Sequence, residues 1–306
     1  MSEEIEIKEK IFNEVYKAQK IKYSVNNTTI YIGTNLKNNE KIVIKELKYN
    51  ENFNEEDWLN ECENMKKFEC KNSVKLIDKF KLKDHYYIIM EYCDYNLEEF
   101  LNILIKKNNL VISIEDIKEI MKQFNIILKK IINDKGVHRD IKPQNILVKI
   151  EKNGQYTIKL GDYGFSKILQ KSYFSSVLGT MYYEAPEIKF SNFDEEKFTN
   201  KTDLWSVGIL IYYLCFKKFP IDNKYKFTNK DSTNNKELDD LISKLLEINP
   251  EKRINWKDYF NHPFFRDKNL SNNENNFILM NGKYKIIKKY KKYDVYKFYE
   301  NLLNYW

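Results

Sequence analysis

Arginine, histidine and cysteine are scarce in this chain of 306 residues, which carries 52 basic side chains but only three arginines, with three histidines and four cysteines. The cysteines (Cys62, Cys70, Cys93 and Cys215) show no CxxC spacing, which excludes a disulfide framework and a zinc ribbon. Long apolar runs are missing too. The longest, Ser206 to Phe216, is too short to cross a bilayer, and the acidic opening MSEEIEIKEK does not read as a secretory signal. A soluble protein of the reducing cytoplasm is expected, with the nucleus left open. With 42% hydrophobic and 32% charged residues the chain has material for a core, so it is not wholly disordered. Its length allows one large domain or two ordinary ones. The net charge of +7 is spread along the chain and selects no partner class. Lysine and asparagine are abundant in the manner of an A/T-rich coding sequence. Against that background Arg139, Arg253 and Arg266 mark places where the planar, bidentate guanidinium is needed and lysine does not serve.

Residues up to about 95 read as short β-type segments with one helix. Thr28–Gly33 and Lys41–Glu46 flank an Asn38-Asn39 turn, and His85–Glu91 is strand-like. Leu59, Cys62, Met65 and Phe68 recur at helical spacing within Trp58–Phe68. From Asn96 the pattern turns helical. Ile114–Ile132 is a long periodic stretch, and Leu204–Phe216 is apolar almost all round, as in a buried helix. Two β-type runs, Ile146–Ile150 and Thr157–Leu160, flank a turn at Asn153-Gly154. A small β-rich part thus precedes a larger α-rich one, with a seam near Glu91–Asn96. Residues 222–236 and 267–276 read as polar loops.

The strongest signal is the string Val137-His138-Arg139-Asp140-Ile141-Lys142-Pro143-Gln144-Asn145, followed 17 residues after Asn145 by Asp162-Tyr163-Gly164. Here the chain resembles the eukaryotic protein kinases of serine/threonine type, through their HRDxKPxN loop and DFG motif, over roughly residues 12–266. The resemblance implies an α+β, two-lobed fold: a small lobe of mostly antiparallel strands with one helix (about 12–92), and a larger helical lobe (about 93–266). Residues 1–11 and 267–306 are then extensions. It also implies ATP and Mg²⁺ in the cleft. Asp140 orients the acceptor hydroxyl, Lys142 neutralises the γ-phosphate, and Asn145 and Asp162 hold the metal through oxygen. Ile42-Val43-Ile44-Lys45 matches the VAIK strand, so Lys45 holds the α- and β-phosphates. Its partner is Glu61, with Glu63 the alternative. Met90-Glu91-Tyr92-Cys93 resembles the adenine-binding hinge with Met90 as gatekeeper, and Ile30, Val43 and Leu147 complete the nucleotide pocket. Gly179-Thr180 and Ala185-Pro186-Glu187 resemble the P+1 loop and APE motif. Asp203-Leu204-Trp205-Ser206-Val207-Gly208 resembles the DxWSxG helix start, and Arg253 stands where the family pairs an arginine with Glu187. Met65, Leu76, His138 and Tyr163 match the four stacked residues of active kinases.

The resemblance breaks at the glycine-rich loop. Its glycines fall at Tyr23, Val25 and Thr28, and the first glycine of the chain is Gly33. Without them the backbone's approach to the phosphates is in question, and Val43 in place of alanine adds bulk beneath adenine. Both changes imply weaker ATP binding. Neither removes an ionisable group. The favoured function is ATP-dependent phosphorylation of protein serine or threonine. The alternatives are a catalytically weak or dead pseudokinase acting as scaffold or allosteric partner, and a small-molecule phosphotransferase.

Thr180 and Lys142 point to serine or threonine acceptors. Gln144, where basic-directed relatives carry glutamate, and Asn96, near a second such position, imply weak or no demand for arginine before the acceptor. Arg139 ahead of the catalytic aspartate resembles kinases switched by loop phosphorylation. Ser176 is the expected phosphosite and Lys167 a second phosphate ligand, with Ser172, Tyr173, Ser175 and an unmodified loop as alternatives. The short Pro220–Leu241 interval implies a truncated docking helix. In the tail, lysines interleave with Tyr284, Tyr290 and Tyr293, while Val295, Tyr299, Leu302 and Trp306 keep helical spacing. This pattern suits a helix docked on the large lobe above peripheral contact with an anionic membrane. A nucleic-acid partner is disfavoured.

Overall fold

The computed structural model describes residues 9–25, 28–48, 54–108, 112–163, 180–190, 199–222, 224–228 and 231–266. The expected phosphosite Ser176, its alternatives, Lys167 and the tail from residue 267 lie outside the described residues, as does the side chain of Thr180.

Six strands form one antiparallel sheet: β1 (Glu9–Phe12), β2 (Tyr16–Val25), β3 (Thr28–Asn35), β4 (Lys41–Lys48), β5 (Leu76–Leu82) and β6 (His85–Glu91), in the order β1-β2-β3-β4-β6-β5. A single helix, α1 (Glu55–Lys67), packs on it. Strands β4 and β6 carry apolar residues at successive positions rather than alternately, because both faces of this sheet are covered. Ile42, Ile44, Tyr87 and Ile89 face one way, into a small core closed by Phe12 and Tyr16. Leu47, Tyr86 and Ile88 face the other, against Trp58, Cys62 and Met65 of α1. The strand Glu9–Phe12 was not expected; it begins within the stretch read as an extension and supplies Phe12 to the outer core.

Gly33 belongs to this packing and not to a phosphate loop. It lies opposite Ala18, and a Cβ there would come 2.4 Å from the Lys17 carbonyl oxygen. Glu46 is a polar intruder in the outer core. It is 8% exposed, and its carboxylate accepts from Tyr31 Oη at 2.7 Å, Tyr87 Oη at 2.6 Å and Lys10 Nζ at 3.2 Å. Burial pushes the carboxyl up, but the tyrosine and lysine donors outweigh it and hold it below its ordinary 4.5. A lowered folded-state value means a contribution complete above pH 4.5 and lost as pH falls through the lower value. Glu46→Gln is therefore expected to cost about 1–3 kcal/mol at neutral pH. In urea unfolding the difference from wild type should shrink under acid conditions.

Helix α1 starts where Asn54 Oδ1 accepts the amides of Glu56 and Asp57, while Asp57 returns a bond to the Asn54 amide. Acidic residues in its first turn and Lys66 and Lys67 in its last follow the helix dipole. Beyond the seam, β7 (Tyr95–Asn96), β8 (Ile146–Ile150) and β9 (Tyr156–Leu160) make a small second sheet. The helices there are α2 (Leu97–Asn108), α3 (Ile114–Asn133), α4 (Thr180–Tyr183), α5 (Pro186–Lys189), α6 (Lys201–Phe216), α7 (Lys236–Leu245) and α8 (Trp256–Phe260). Helix α6 is buried all round, as its composition predicts. At Gly208 a Cβ would meet Leu245 and Leu246 at 2.8 Å, so glycine lets α7 approach. Among the described residues between α6 and α7 there is no helix, in keeping with the short interval. No described helix is long and apolar enough to cross a membrane.

Candidate active site

Three segments far apart in sequence converge on Lys45. Strand β4 aims its ammonium group at Glu61 Oε1, 2.7 Å away on α1, and at Asp162 Oδ1, 3.4 Å away after β9. Glu61 is 4% exposed, whereas Glu63, the alternative partner, faces solvent. Burial alone would depress the Lys45 amine, but the Asp162 and Glu61 carboxylates outweigh it and raise it, so lysine is held as a cation. Burial pushes the Glu61 carboxyl up, against the pull of Lys45.

A second group lies in the loop after α3. Lys142 Nζ is 3.1 Å from Asp140 Oδ2, and Asn145 Nδ2 donates to the Asp140 carbonyl oxygen at 2.9 Å and also to its carboxylate. Proline at position 143 opens the short 3₁₀ turn Pro143–Asn145 that brings Asn145 back over Asp140. The two groups are joined by backbone: Gly161 N–H donates to the Asn145 carbonyl at 2.9 Å, one residue before Asp162. Asp162 itself has φ 56° and Arg139 φ 70°, left-handed conformations that cost energy in a non-glycine residue.

The strain at Arg139 is held from below. The buried Asp203 carboxylate accepts the amides of His138 at 2.7 Å and Arg139 at 2.8 Å. Burial pushes the Asp203 carboxyl up, against the pull of His138 and these amides. His138 reaches the Gly161 carbonyl oxygen through Nε2 at 3.3 Å. Its ring meets Tyr163 edge-on at 5.7 Å, and Tyr163 stacks on Phe68 at 6.0 Å. Met65, Leu76, His138 and Tyr163 are all buried.

Around this centre, Ile30 on β3 pairs with Lys45, and Val43 on β4 pairs with Met90. Leu147 on β8 lies beside Gly161: a Cβ there would be 3.5 Å from its Cδ1. Cys93 is buried in the main core. Glu91 holds an unexpected cluster. Its carboxylate meets Lys149 at 2.6 Å, Lys159 at 2.8 Å and the Lys75 amide at 2.8 Å. Burial opposes ionisation, yet the two ammonium groups keep this carboxyl below its ordinary value. Nothing local in sequence marks this cluster, since Lys149 and Lys159 are two lysines among many. Asn96 is turned to another use: its side chain is 3% exposed and caps α2, with Oδ1 accepting the Glu99 amide at 2.9 Å.

The family model for the protein kinase domain matches residues 26–265. The chain belongs to the protein kinase family. Similar proteins include a Dictyostelium discoideum protein named "Probable serine/threonine-protein kinase nek3", 34% identical over 268 residues, which are 78% of this chain and 23% of that one. Human "Serine/threonine-protein kinase Nek5" is 30% identical over 216 residues, 66% of this chain and 29% of its own. The D. discoideum "Serine/threonine-protein kinase atg1" is 30% identical over 269 residues, 80% and 38% respectively. The chain thus spans 23% to 38% of the length of these relatives. Lys45 and Glu61 belong to the six-stranded sheet and its helix, whereas Asp140, Lys142, Asn145 and Asp162 come from segments beyond the seam.

Proposed function

We propose that the protein is an ATP- and Mg²⁺-dependent protein serine/threonine kinase, and the observation that carries this is the convergence of Lys45, Glu61 and Asp162 beside Asp140, Lys142 and Asn145. Its serine/threonine-kinase relatives support the acceptor class. The donor set fits Mg²⁺. It is all oxygen, and Asn145 commits its amide nitrogen to Asp140, which leaves its side-chain oxygen as the atom it can offer a metal. Among the described residues no cluster of three or more His, Cys, Asp or Glu forms a closed metal cage. This suits an ion held by one or two protein oxygens together with the nucleotide's phosphates. When bound, Mg²⁺ neutralises charge on those phosphates.

The rest falls to this chain's own residues. Lys45, oriented by Glu61, binds the α- and β-phosphates. Asp162 and Asn145 hold the metal. Ile30, Val43, Met90 and Leu147 enclose the base, with the backbone of Glu91 and Cys93 bonding its edge. Lys142 counters γ-phosphate charge, and Asp140 accepts the hydroxyl proton as the acceptor attacks. Arg139 with Lys167 would read a phosphate on Ser176, and Thr180 would border the acceptor. The cytoplasm is the expected compartment.

The test is thermal shift with Mg-ATP, with and without EDTA, alongside transfer of labelled phosphate. Ligand at a hundred times Kd is worth about 2.7 kcal/mol, and Lys45→Met should lose most of that shift. With the glycines missing from the β2–β3 hairpin, saturation should need more ATP than in kinases that keep them. A metal-dependent shift with no phosphate transferred to protein would overturn the catalytic reading and leave a nucleotide-binding one.

A further inference from the structure

Helix α6 ends at a lysine where the backbone favours glycine. Lys217 caps it with φ 55°, its amide bonded to the Tyr213 carbonyl at 2.9 Å. The conformation costs a non-glycine side chain energy, and Lys83 and Lys135 share it. The Lys217 ammonium group is buried, and among the described residues it has no hydrogen-bond partner. It lies 4.8 Å from the centre of the Tyr213 ring. The carboxylate that acts on it electrostatically is Glu98 of α2, and both oxygens of Glu98 are engaged: Oε2 accepts Gln144 Nε2 at 2.6 Å and Oε1 accepts Tyr213 Oη at 3.1 Å. Phe219 stacks between Tyr182 at 4.5 Å and Tyr213 at 5.5 Å, closing the other side. Burial pulls the Lys217 amine down to about 8, with Glu98 opposing.

These neighbours tie Lys217 to segments next to the reaction centre. Gln144 sits in the same 3₁₀ turn as Asn145, and Tyr182 belongs to the segment between Thr180 and Glu187. A polypeptide that delivers a hydroxyl to Asp140 would therefore pass near Lys217 within a few residues of its acceptor. An ammonium group has three donors. Held away from water with none of them bonded among the described residues, it is costly until an anion arrives.

We infer that Lys217 is a specificity-determining residue, which receives an anionic side chain of the substrate, carboxylate or phosphate, a few residues from the acceptor. The inference rests on the kinase reading above and gives it a substrate class. It also turns the expected indifference to arginine into discrimination against it, because a substrate guanidinium would face Lys217 and find Glu98 already bonded.

The test uses the full chain and serine peptides of neutral background, with Glu, phosphoserine, Ala or Arg placed in turn at each of several positions around the acceptor. We expect kcat/KM to rise about ten-fold for an acidic residue at one position, the size of a partly buried ion pair. Comparing Glu with phosphoserine tells which anion is preferred. Lys217→Gln should erase the ratio of acidic to neutral peptide, and Lys217→Glu should reverse it toward Arg. Lys218→Gln, at an exposed neighbour paired with Asp231, should leave the ratio as it is. Wild-type indifference to charge, selection of Arg by wild type, or an acidic preference surviving in Lys217→Gln would overturn the inference. Fluorescence anisotropy of the same labelled peptides gives a readout without turnover. If no peptide is phosphorylated, the kinase reading fails, while tighter binding of acidic peptides that disappears in Lys217→Gln still upholds the subsite, and equal binding removes it.

Discussion

Asp140→Asn is expected to lower kcat for peptide phosphorylation by about 10²- to 10⁴-fold, the range for removing a positioned general base. The substitution preserves shape and takes away charge. Asp140 is gripped on both sides, by Lys142 at 3.1 Å and by the Asn145 amide. An amide at position 140 cannot accept a proton at neutral pH, and its nitrogen would face two donors where a carboxylate faced them. The loop should keep its path, because the grip on the Asp140 carbonyl, the bond from Gly161 to Asn145 and the Asp203 anchor are all independent of that charge. Mg-ATP thermal shift should therefore be nearly unchanged while transfer collapses. Asp162→Asn should behave differently, losing metal-dependent nucleotide binding as well as rate. Wild-type rates in Asp140→Asn would remove Asp140 from the chemistry.

Much of this arrangement was legible in the sequence because phosphoryl transfer ties residue types to fixed spacing. The Asp140-Lys142-Asn145 loop is one continuous string, and hydrophobic period was enough to place α1, α3 and α6 around it. The strand read as Lys41–Glu46 runs on to Lys48, and the likeness of Ile42-Val43-Ile44-Lys45 to the VAIK strand singled out its lysine. What escaped was carried by contacts between distant segments. Strand β1 is four residues long, and only its pairing with β2 and the burial of Phe12 make it a strand. Nothing local marks Glu46, since its tyrosine donors come from two other strands. The Glu91 cluster draws on three strands and on lysines with nothing local to distinguish them. Lys217 was hidden for a further reason: a left-handed lysine at a helix end has no compositional signature, and its meaning depends on Glu98 being already bonded. Arginine, by contrast, was informative through its rarity, and that has an energetic consequence.

Arg253→Ala is expected to destabilise the large lobe by about 3–5 kcal/mol, the cost of orphaning a buried charge. At about 2–4 °C per kcal/mol for a unit of this size, the melting temperature should fall by roughly 6–20 °C. The guanidinium is 2% exposed and grips Glu187 with two parallel bonds of 2.7 and 2.8 Å. Its remaining donors reach the carbonyls of Lys201, Glu247 and Ile248, and its plane lies 5.2 Å from the Trp205 ring centre. One side chain thus joins α5, α6 and the segment before α8. Lysine supplies charge without the fork, so Arg253→Lys should recover only a minor part. The decisive comparison is a double variant. Removal of Arg253 alone strands the Glu187 carboxylate in the core, whereas Glu187→Leu with Arg253→Met removes both charges and keeps volume. The pair should therefore lose less than Arg253→Ala alone, though more than nothing, because the three carbonyls lose their donor in either case. Equal or additive losses in the two experiments would mean that Arg253 acts through its carbonyl contacts and packing, with the ion pair to Glu187 contributing little.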